Sequence, residues 1–303
     1  MERRRIRIGT RNSKLALWQA NHVADLLDAG GFQPELVPII TKGDKIQHVT
    51  LSKIGSKGVF TEELEMSLMR GTIDIAVHSA KDLPSSLPDG FSILAFCERE
   101  SPDDVIVSDR EIDLNDPTLV LGTSSTRRIA MLGHFYPHIK TIDARGNLQT
   151  RIDKLKTGLM HGLVLAYAGV KRMELDHMVR YWFDIERFTP PVGQGAVAIE
   201  VHERLDTDLA EKLKSLTNHT LTEKLIVTER AFLRRMEGGC SIPVFGLAQM
   251  EQDGQIELTG GVASLDGRQL IKRTMFGTGE ELGVSLADEI LASGGKKILD
   301  DIK

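Results

Sequence analysis

Alternating apolar and polar positions break this chain into short strand-and-helix pairs. Ile6-Arg7-Ile8-Gly9 reads as a strand. Ser13 caps a helix running to about Ala29, with Leu17, Ala20, Val23, Leu26 and Leu27 at helical spacing and Gly30 at its end. Residues 36–40 give a second strand. Thr61 opens a helix with Glu62 and Glu63 in its first turn, Gly71 closes it, and residues 73–77 form a buried strand. This rhythm predicts a largely parallel or mixed sheet with helices on both faces. It resumes at Ser101-Pro102, with strands at 119–121, 141–143 and 163–168. The helices between them start at Gly122-Thr123-Ser124-Ser125 and at Asn147, the latter ending near Gly158. A strand, a Gly-Thr turn and a polar helix start thus occur twice, at 9–13 and 122–128. Two related α/β domains facing each other are expected.

The last part has a different pattern. Thr220 and Glu223 fit a capping box for a helix ending at Gly238. Beyond it, apolar segments are separated by Asp253-Gly254 and Asp266-Gly267, both hairpin signals, and a final helix spans about 283–293. The expected fold class is therefore α/β, with a smaller C-terminal α+β domain built on an antiparallel sheet.

Composition narrows the function. At 303 residues the chain has room for two or three domains, and 41% hydrophobic content supports real cores. A net charge of −5 and 5% aromatics argue against a nucleic-acid binder. The two cysteines, Cys97 and Cys240, form neither a metal cluster nor a disulfide framework, so no metal is expected. Arg3-Arg4-Arg5 lacks the apolar run of a signal peptide, and no stretch approaches the ~20 apolar residues of a membrane span. The expected location is the cytoplasm.

The arginines carry more than the net charge does. Residues 122–151 hold Arg127, Arg128, Lys140, Arg145 and Arg151 against one acid, Asp143, several of them at predicted helix starts. A cation there opposes the helix dipole by about 0.3–1 kcal/mol. An anionic ligand rationalises the pattern, since helix N-termini and arginine forks both bind anions; solvated surface arginines are the plain alternative. Arg11 repeats the pattern in the first unit. The basic loop Lys53-Ile54-Gly55-Ser56-Lys57-Gly58 reads as a lid or as an ordinary surface loop. Asp82, in His78-Ser79-Ala80-Lys81-Asp82, is a lone acid among cations at a strand's carboxyl end. It is either a turn residue or a carboxylate that holds N–H groups and a developing cation. Gly193-Gln194-Gly195 lacks the third glycine of a dinucleotide fingerprint. Cys240 sits in Glu237-Gly238-Gly239-Cys240, after a helix C-terminus whose dipole opposes a thiolate. Alone, it reads as a small buried hydrophobe or as a thiol with a special task.

In order and spacing, these segments resemble the porphobilinogen deaminase (hydroxymethylbilane synthase) family along essentially the whole chain. The resemblance rests on Thr10-Arg11-Asn12-Ser13 with Leu15-Ala16-Leu17-Trp18-Gln19, the loop at 53–58, Ala76-Val77-His78-Ser79-Ala80-Lys81-Asp82 and Cys97-Glu98-Arg99-Glu100. It continues through Gly122-Thr123-Ser124-Ser125-Thr126-Arg127-Arg128, Arg145-Gly146-Asn147 with Thr150-Arg151, Val192-Gly193-Gln194-Gly195-Ala196 and Glu237-Gly238-Gly239-Cys240. Ser56, Ala80, Thr126 and Lys14 depart from the common pattern without removing a charged site residue.

The resemblance implies a three-domain fold whose first two domains are periplasmic-binding-protein-like. They comprise 1–97 with 196–216, then 98–195, followed by a third domain at 217–303. It implies a transferase that joins four porphobilinogen molecules head to tail into hydroxymethylbilane, releasing ammonia each time. The primer is a dipyrromethane cofactor held by a thioether to Cys240. Lys81, Asp82, Ser125, Arg127, Arg128, Arg145, Gly146 and Arg151 match cofactor-binding positions. Arg11, Ser13, Gln19, Arg145, Arg172 and Gln194 match substrate-binding ones. Asp82 matches the catalytic aspartate, and Lys53 and Lys57 the mobile loop. Porphobilinogen is the expected small-molecule partner of a monomer that binds neither nucleic acid nor membrane. The competing reading is a non-catalytic two-domain anion-binding protein, which leaves Cys240 and Asp82 without a role.

Overall fold

The computed structural model describes residues 3–42, 61–239 and 241–302. Lys53, Lys57 and Cys240 lie outside the described residues. The chain divides into two compact units, Met1–Glu100 with Gly195–Glu223, and Ser101–Gln194 with Lys224–Lys303.

The first unit is built on a five-stranded sheet. Strands β1 (Arg5–Arg11), β2 (Gln33–Ile39), β3 (Ile75–Ser79), β4 (Phe91–Phe96) and β10 (Val197–His202) lie in the order β2-β1-β3-β10-β4. β1 runs parallel to β2 and β3, whereas β10 is antiparallel to β3 and β4. Helix α1 (Lys14–Ala29) covers one face, burying Ala20, Val23, Ala24 and Leu27 against Ile6, Ile8 and Cys97. Cys97 is thus a small core hydrophobe here. Helix α2 (Glu62–Met69) lies against β3 and β10. Ser13 caps α1 as expected, its Oγ accepting from Ala16 N at 3.3 Å. The helix ends at Ala29 with Gly30 next, as expected; Gly30 keeps φ −80° and the left-handed turn falls on Gly31 at φ 88°.

The second unit contains a sheet with the same pattern of ladders. Strands β5 (Asp104–Val107), β6 (Val120–Gly122), β7 (Lys140–Ile142), β8 (Gly162–Ala166) and β9 (Val179–Trp182) lie in the order β7-β6-β8-β5-β9. Again the first three are parallel, and the fourth is antiparallel to both its neighbours. Helices α3 (Thr126–Phe135) and α4 (Leu148–Leu155) open at Ser125 and Asn147, whose side chains accept from Arg128 N and Thr150 N. The strand expected at 163–168 stops at Ala166, and α5 (Tyr167–Arg172) follows with Ala168 and Val170 buried. An apolar run does not by itself separate a buried strand from a buried helical turn.

The same unit holds an antiparallel sheet of β11 (Val244–Met250), β12 (Ile256–Ala263) and β13 (Leu270–Gly277). The Asp253-Gly254 and Asp266-Gly267 turns fall between these strands, both glycines at positive φ. Its core joins Phe232, Leu258, Val262, Leu286 and Ile290. The single final helix expected at 283–293 is instead α8 (Gly279–Ile290), a kinked segment with Gly294 at φ 108°, and α9 (Lys296–Ile302).

Helix α7 (Thr220–Arg235) corrects another expectation. Thr220 and Glu223 do not form the capping box: Thr220 is already helical. Glu223 accepts instead from Lys214 Nζ and Asn218 Nδ2, both at 2.7 Å, and the Thr222 N–H is directed to His219 Nδ1. A charged partner and an amide one turn upstream compete better for the carboxylate than the backbone N–H does. α6 (Thr207–Thr217) supplies that lysine.

Gly267 ties the antiparallel sheet to α3. A Cβ on it would lie 2.2 Å from Ala130 O and 2.7 Å from His134 N, and its φ is 73°. Its carbonyl lies 2.8 Å from His134 Nδ1. Gly267→Ala therefore meets both a backbone clash and left-handed strain. Urea unfolding is expected to show a loss of about 2–3 kcal/mol; an unchanged midpoint would refute this backbone-on-backbone seat. Among the described residues, no helix is long and apolar enough to cross a membrane.

Candidate active site

The carboxyl ends of β1 and β3 collect one group of the sequence-identified residues. β1 ends at Arg11, Ser13 caps the following helix, and Gln19 lies one turn further on. Gln19 is buried, and its Nε2 donates to Ser79 Oγ at 2.9 Å. This bond joins α1 to the last residue of β3. A short turn, Ala80–Asp82, then carries Lys81 and Asp82 off the strand, with Ala80 N donating to Ala196 O at 3.0 Å. Asp82 is half-buried and, among the described residues, its carboxylate has no hydrogen-bond or ion-pair partner. A carboxylate with no structural bond, held at a strand's carboxyl end, is free to act on a ligand.

Beneath this edge lies a buried acid cluster. His78 on β3 and Glu200 on β10 flank the Ile199–Val77 pair of their ladder, and His78 Nε2 is 3.0 Å from Glu200 Oε2 without hydrogen-bond alignment. Glu65, from α2, is also buried. Burial, reinforced by the charge on Glu200, pushes the Glu65 carboxyl up against the opposing pull of Thr61 and His78. A carboxyl raised in the folded state favours folding most below its ordinary 4.5, and that contribution is lost as pH rises through the raised value. Glu65→Gln is therefore expected to raise the urea midpoint at pH 8, the gain vanishing toward pH 4. Urea midpoints across that range test the slope; a pH-independent loss would contradict it.

The second unit presents the arginines. Arg127 and Arg128 open α3, but both side chains are buried, only 4% and 7% exposed. They converge on Asp104, the first residue of β5. Arg127 Nη2 contacts Asp104 Oδ2, while Arg128 Nε and Nη2 donate to Oδ1 at 3.2 and 2.7 Å. Gln194 Nε2 donates to the same Oδ1 at 2.9 Å and to Pro102 O at 2.6 Å. Burial pushes the Asp104 carboxyl up, but the two guanidiniums outweigh it and hold the group well below the usual carboxylate range. Burial and the neighbouring Arg128 work against the Arg127 cation, and Asp104 counters them. Arg127 Nε remains a buried donor without a partner among the described residues. Two cations, one anion and an unused N–H at a helix N-terminus fit a further carboxylate.

Around the start of α4, Arg145 pairs with Asp143 at 3.0 Å, and Arg151 Nε donates to Gly146 O at 2.8 Å. Gly146 has φ 112°. Asp143 also accepts from Ser124 Oγ, which joins the starts of α3 and α4. The Ser125 Oγ caps α3, and Arg172 ends α5, half-buried.

The loop carrying residue 240 leaves α7 through a defined turn. Gly238 N bonds Leu233 O at 3.1 Å and Glu237 N bonds Arg234 O at 3.0 Å, with Glu237 at φ 49°. The left-handed position falls on a glutamate, although glycine follows it; such strain is tolerated where the surroundings fix the turn. Ile242 N bonds Gly239 O at 3.0 Å on the far side of Cys240.

Asp104, Glu200 and Glu229 escaped the sequence reading. Glu229 is fully buried in α7 and accepts from Gly193 N and Ala248 N at 2.8 and 2.9 Å. The signal available for Asp104 was an acid heading an otherwise apolar strand, Asp104-Val105-Ile106-Val107. Among the described residues, no cluster of histidine, cysteine and acid side chains could hold a metal.

The family model described as porphobilinogen deaminase, dipyrromethane cofactor binding domain, matches residues 6–211, and that for the porphobilinogen deaminase C-terminal domain matches 224–292. A porphobilinogen deaminase of Desulfosudis oleivorans is 48% identical over 304 residues, covering 98% of each chain. One of Cytophaga hutchinsonii is 52% identical over 303 residues, covering 98% of this chain and 97% of its own. Among solved structures, the Bordetella pertussis BvgS VFT2 domain covers 70% of this chain and 85% of its own, at 15% identity and TM-score 0.43. A Salmonella typhimurium periplasmic binding protein with high arginine specificity covers 70% of this chain and 91% of its own, at 14% identity and TM-score 0.38.

Proposed function

Because this chain belongs to the porphobilinogen deaminase family, we propose that it joins four porphobilinogen molecules head to tail into hydroxymethylbilane, with release of ammonia. The observation that carries the reading is the pairing of two kinds of site. One is a partner-free carboxylate, Asp82, at the edge of the first sheet. The other is a set of cations, among which Arg127 and Arg128 share the single buried carboxylate of Asp104.

The chemistry assigns each a task. Every pyrrole carries an acetate and a propionate, so a growing chain is densely anionic. Arg127, Arg128, Arg145 and Arg151, with Ser125, Gly146 and Lys81, hold carboxylates of the dipyrromethane cofactor. That cofactor supplies a free pyrrole carbon as primer. Arg11, Ser13, Gln19, Arg145, Arg172 and Gln194 receive the incoming monomer. The described bonds of Gln19 to Ser79, and of Gln194 to Pro102 and Asp104, hold the two amides in place. Loss of ammonia leaves the monomer electron-poor. Asp82 accepts from the pyrrole N–H, stabilises the positive charge and takes up the proton released on bond formation. Cys240 carries the cofactor by a thioether. A tether formed once needs no thiolate regenerated at each turnover, so its place after a helix C-terminus is no obstacle.

We assign residues 217–303 to a third domain that bears the tether, and the working protein to the cytoplasm as a monomer without nucleic-acid or membrane partners. Incubation with porphobilinogen tests the function. Ammonia release at one equivalent per monomer consumed, with a linear tetrapyrrole as product, is expected. Binding without ammonia release would favour the non-catalytic anion-binding alternative.

A further inference from the structure

We propose that Asp104 is a positioning residue that aims Arg127 and Arg128 at the cofactor carboxylates, an inference that rests on the function proposed above. The two arginines are consecutive, so their side chains leave the helix start in different directions. Asp104 draws both guanidiniums onto one carboxylate, using both oxygens. Gln194 adds a further donor to Oδ1, and the carbonyls of Thr189 and Val164 accept from Arg127 Nη1 and Arg128 Nη1 at 3.0 and 2.9 Å. The carboxylate is fully buried, so no water competes for these bonds. With the Met131 sulfur accepting from Arg127 Nη1 at 3.3 Å, six described bonds fix two long side chains that would otherwise lose much rotamer freedom on meeting a ligand.

The arrangement also sets the charge. One anion against two cations leaves a single positive charge beside a helix N-terminus, and Arg127 Nε still lacks a partner among the described residues. One ligand carboxylate completes that balance. Without Asp104, two adjacent buried cations would repel each other, and the pair would turn toward solvent or bind anions without a fixed orientation.

The test compares full-length Asp104→Asn with Leu299→Ala, a variant of the same unit that opens a cavity in the core of the antiparallel sheet, a cluster with no residue of α3. Cofactor occupancy is read by intact mass after purification and again after incubation with porphobilinogen. Melting temperature is measured alongside. Asp104→Asn is expected to lower occupancy about tenfold, the low end of the roughly 10–100-fold loss when a group that orients binding residues is removed. Leu299→Ala is expected to keep full occupancy at a comparably lowered melting temperature. If Asp104→Asn does not fold, Asp104→Glu keeps the charge balance and shifts the carboxylate by one methylene; reduced occupancy in that folded variant supports the proposal. Full occupancy in the folded Asn or Glu variant overturns it, as does an equal loss in Leu299→Ala. Absence of the cofactor from the parent protein would refute the family reading and is thereby distinguished from failure of Asp104.

Discussion

Asp82→Ala is expected to lower turnover by about 10²–10³-fold while the protein keeps its fold, the loss that follows removal of one preorganised group facing a developing charge. The structure gives the reason for both halves. Asp82 stands on a short turn at the end of β3, half-buried, with no bond from its carboxylate to any described residue. Removing it opens no core cavity and orphans no partner, so the melting temperature should stay close to that of the parent. The loss should fall mainly on kcat, because the cation it faces exists only after ammonia departs. Initial rates across porphobilinogen concentrations, with near-UV circular dichroism, check this. Near-normal kcat would remove Asp82 from the mechanism.

The second large effect is expected at Cys240. A tether makes every condensation intramolecular, and the lost effective concentration alone should cost at least about 10²-fold in turnover. Cys240→Ser keeps a polar side chain of similar size but offers no sulfur for the thioether. It should fold and remain inactive after prolonged incubation with porphobilinogen. Parent-level rates in this variant would show that the primer is held elsewhere.

Much of the framework was legible along the sequence because the signals are local. The Ser13, Ser125 and Asn147 caps, the two Asp-Gly turns and the alternating strands depend on neighbours within a few residues. Asp82 was legible for a related reason, since an acid just past a buried strand stands out. What the local pattern did not reveal is where charges find distant partners. The span 122–151 holds one acid, yet Arg127 and Arg128 are matched by Asp104, which lies outside it. Glu229 looks like a solvated helix residue until Gly193 N and Ala248 N are seen on it. The capping box failed in the same way, because Lys214 and Asn218 reach Glu223 first. The unused N–H of Arg127 and the missing partner of Asp82 become visible only when all other bonds are accounted for.

The central claim is that Cys240 carries a primer from which the product grows. The intact mass of the purified protein, followed by peptide mapping, tests it most directly. The account predicts a chain heavier by a dipyrromethane unit, with the added mass on the peptide that contains Cys240 and further pyrrole units after brief exposure to porphobilinogen. An unmodified chain mass, persisting after that exposure, would contradict it.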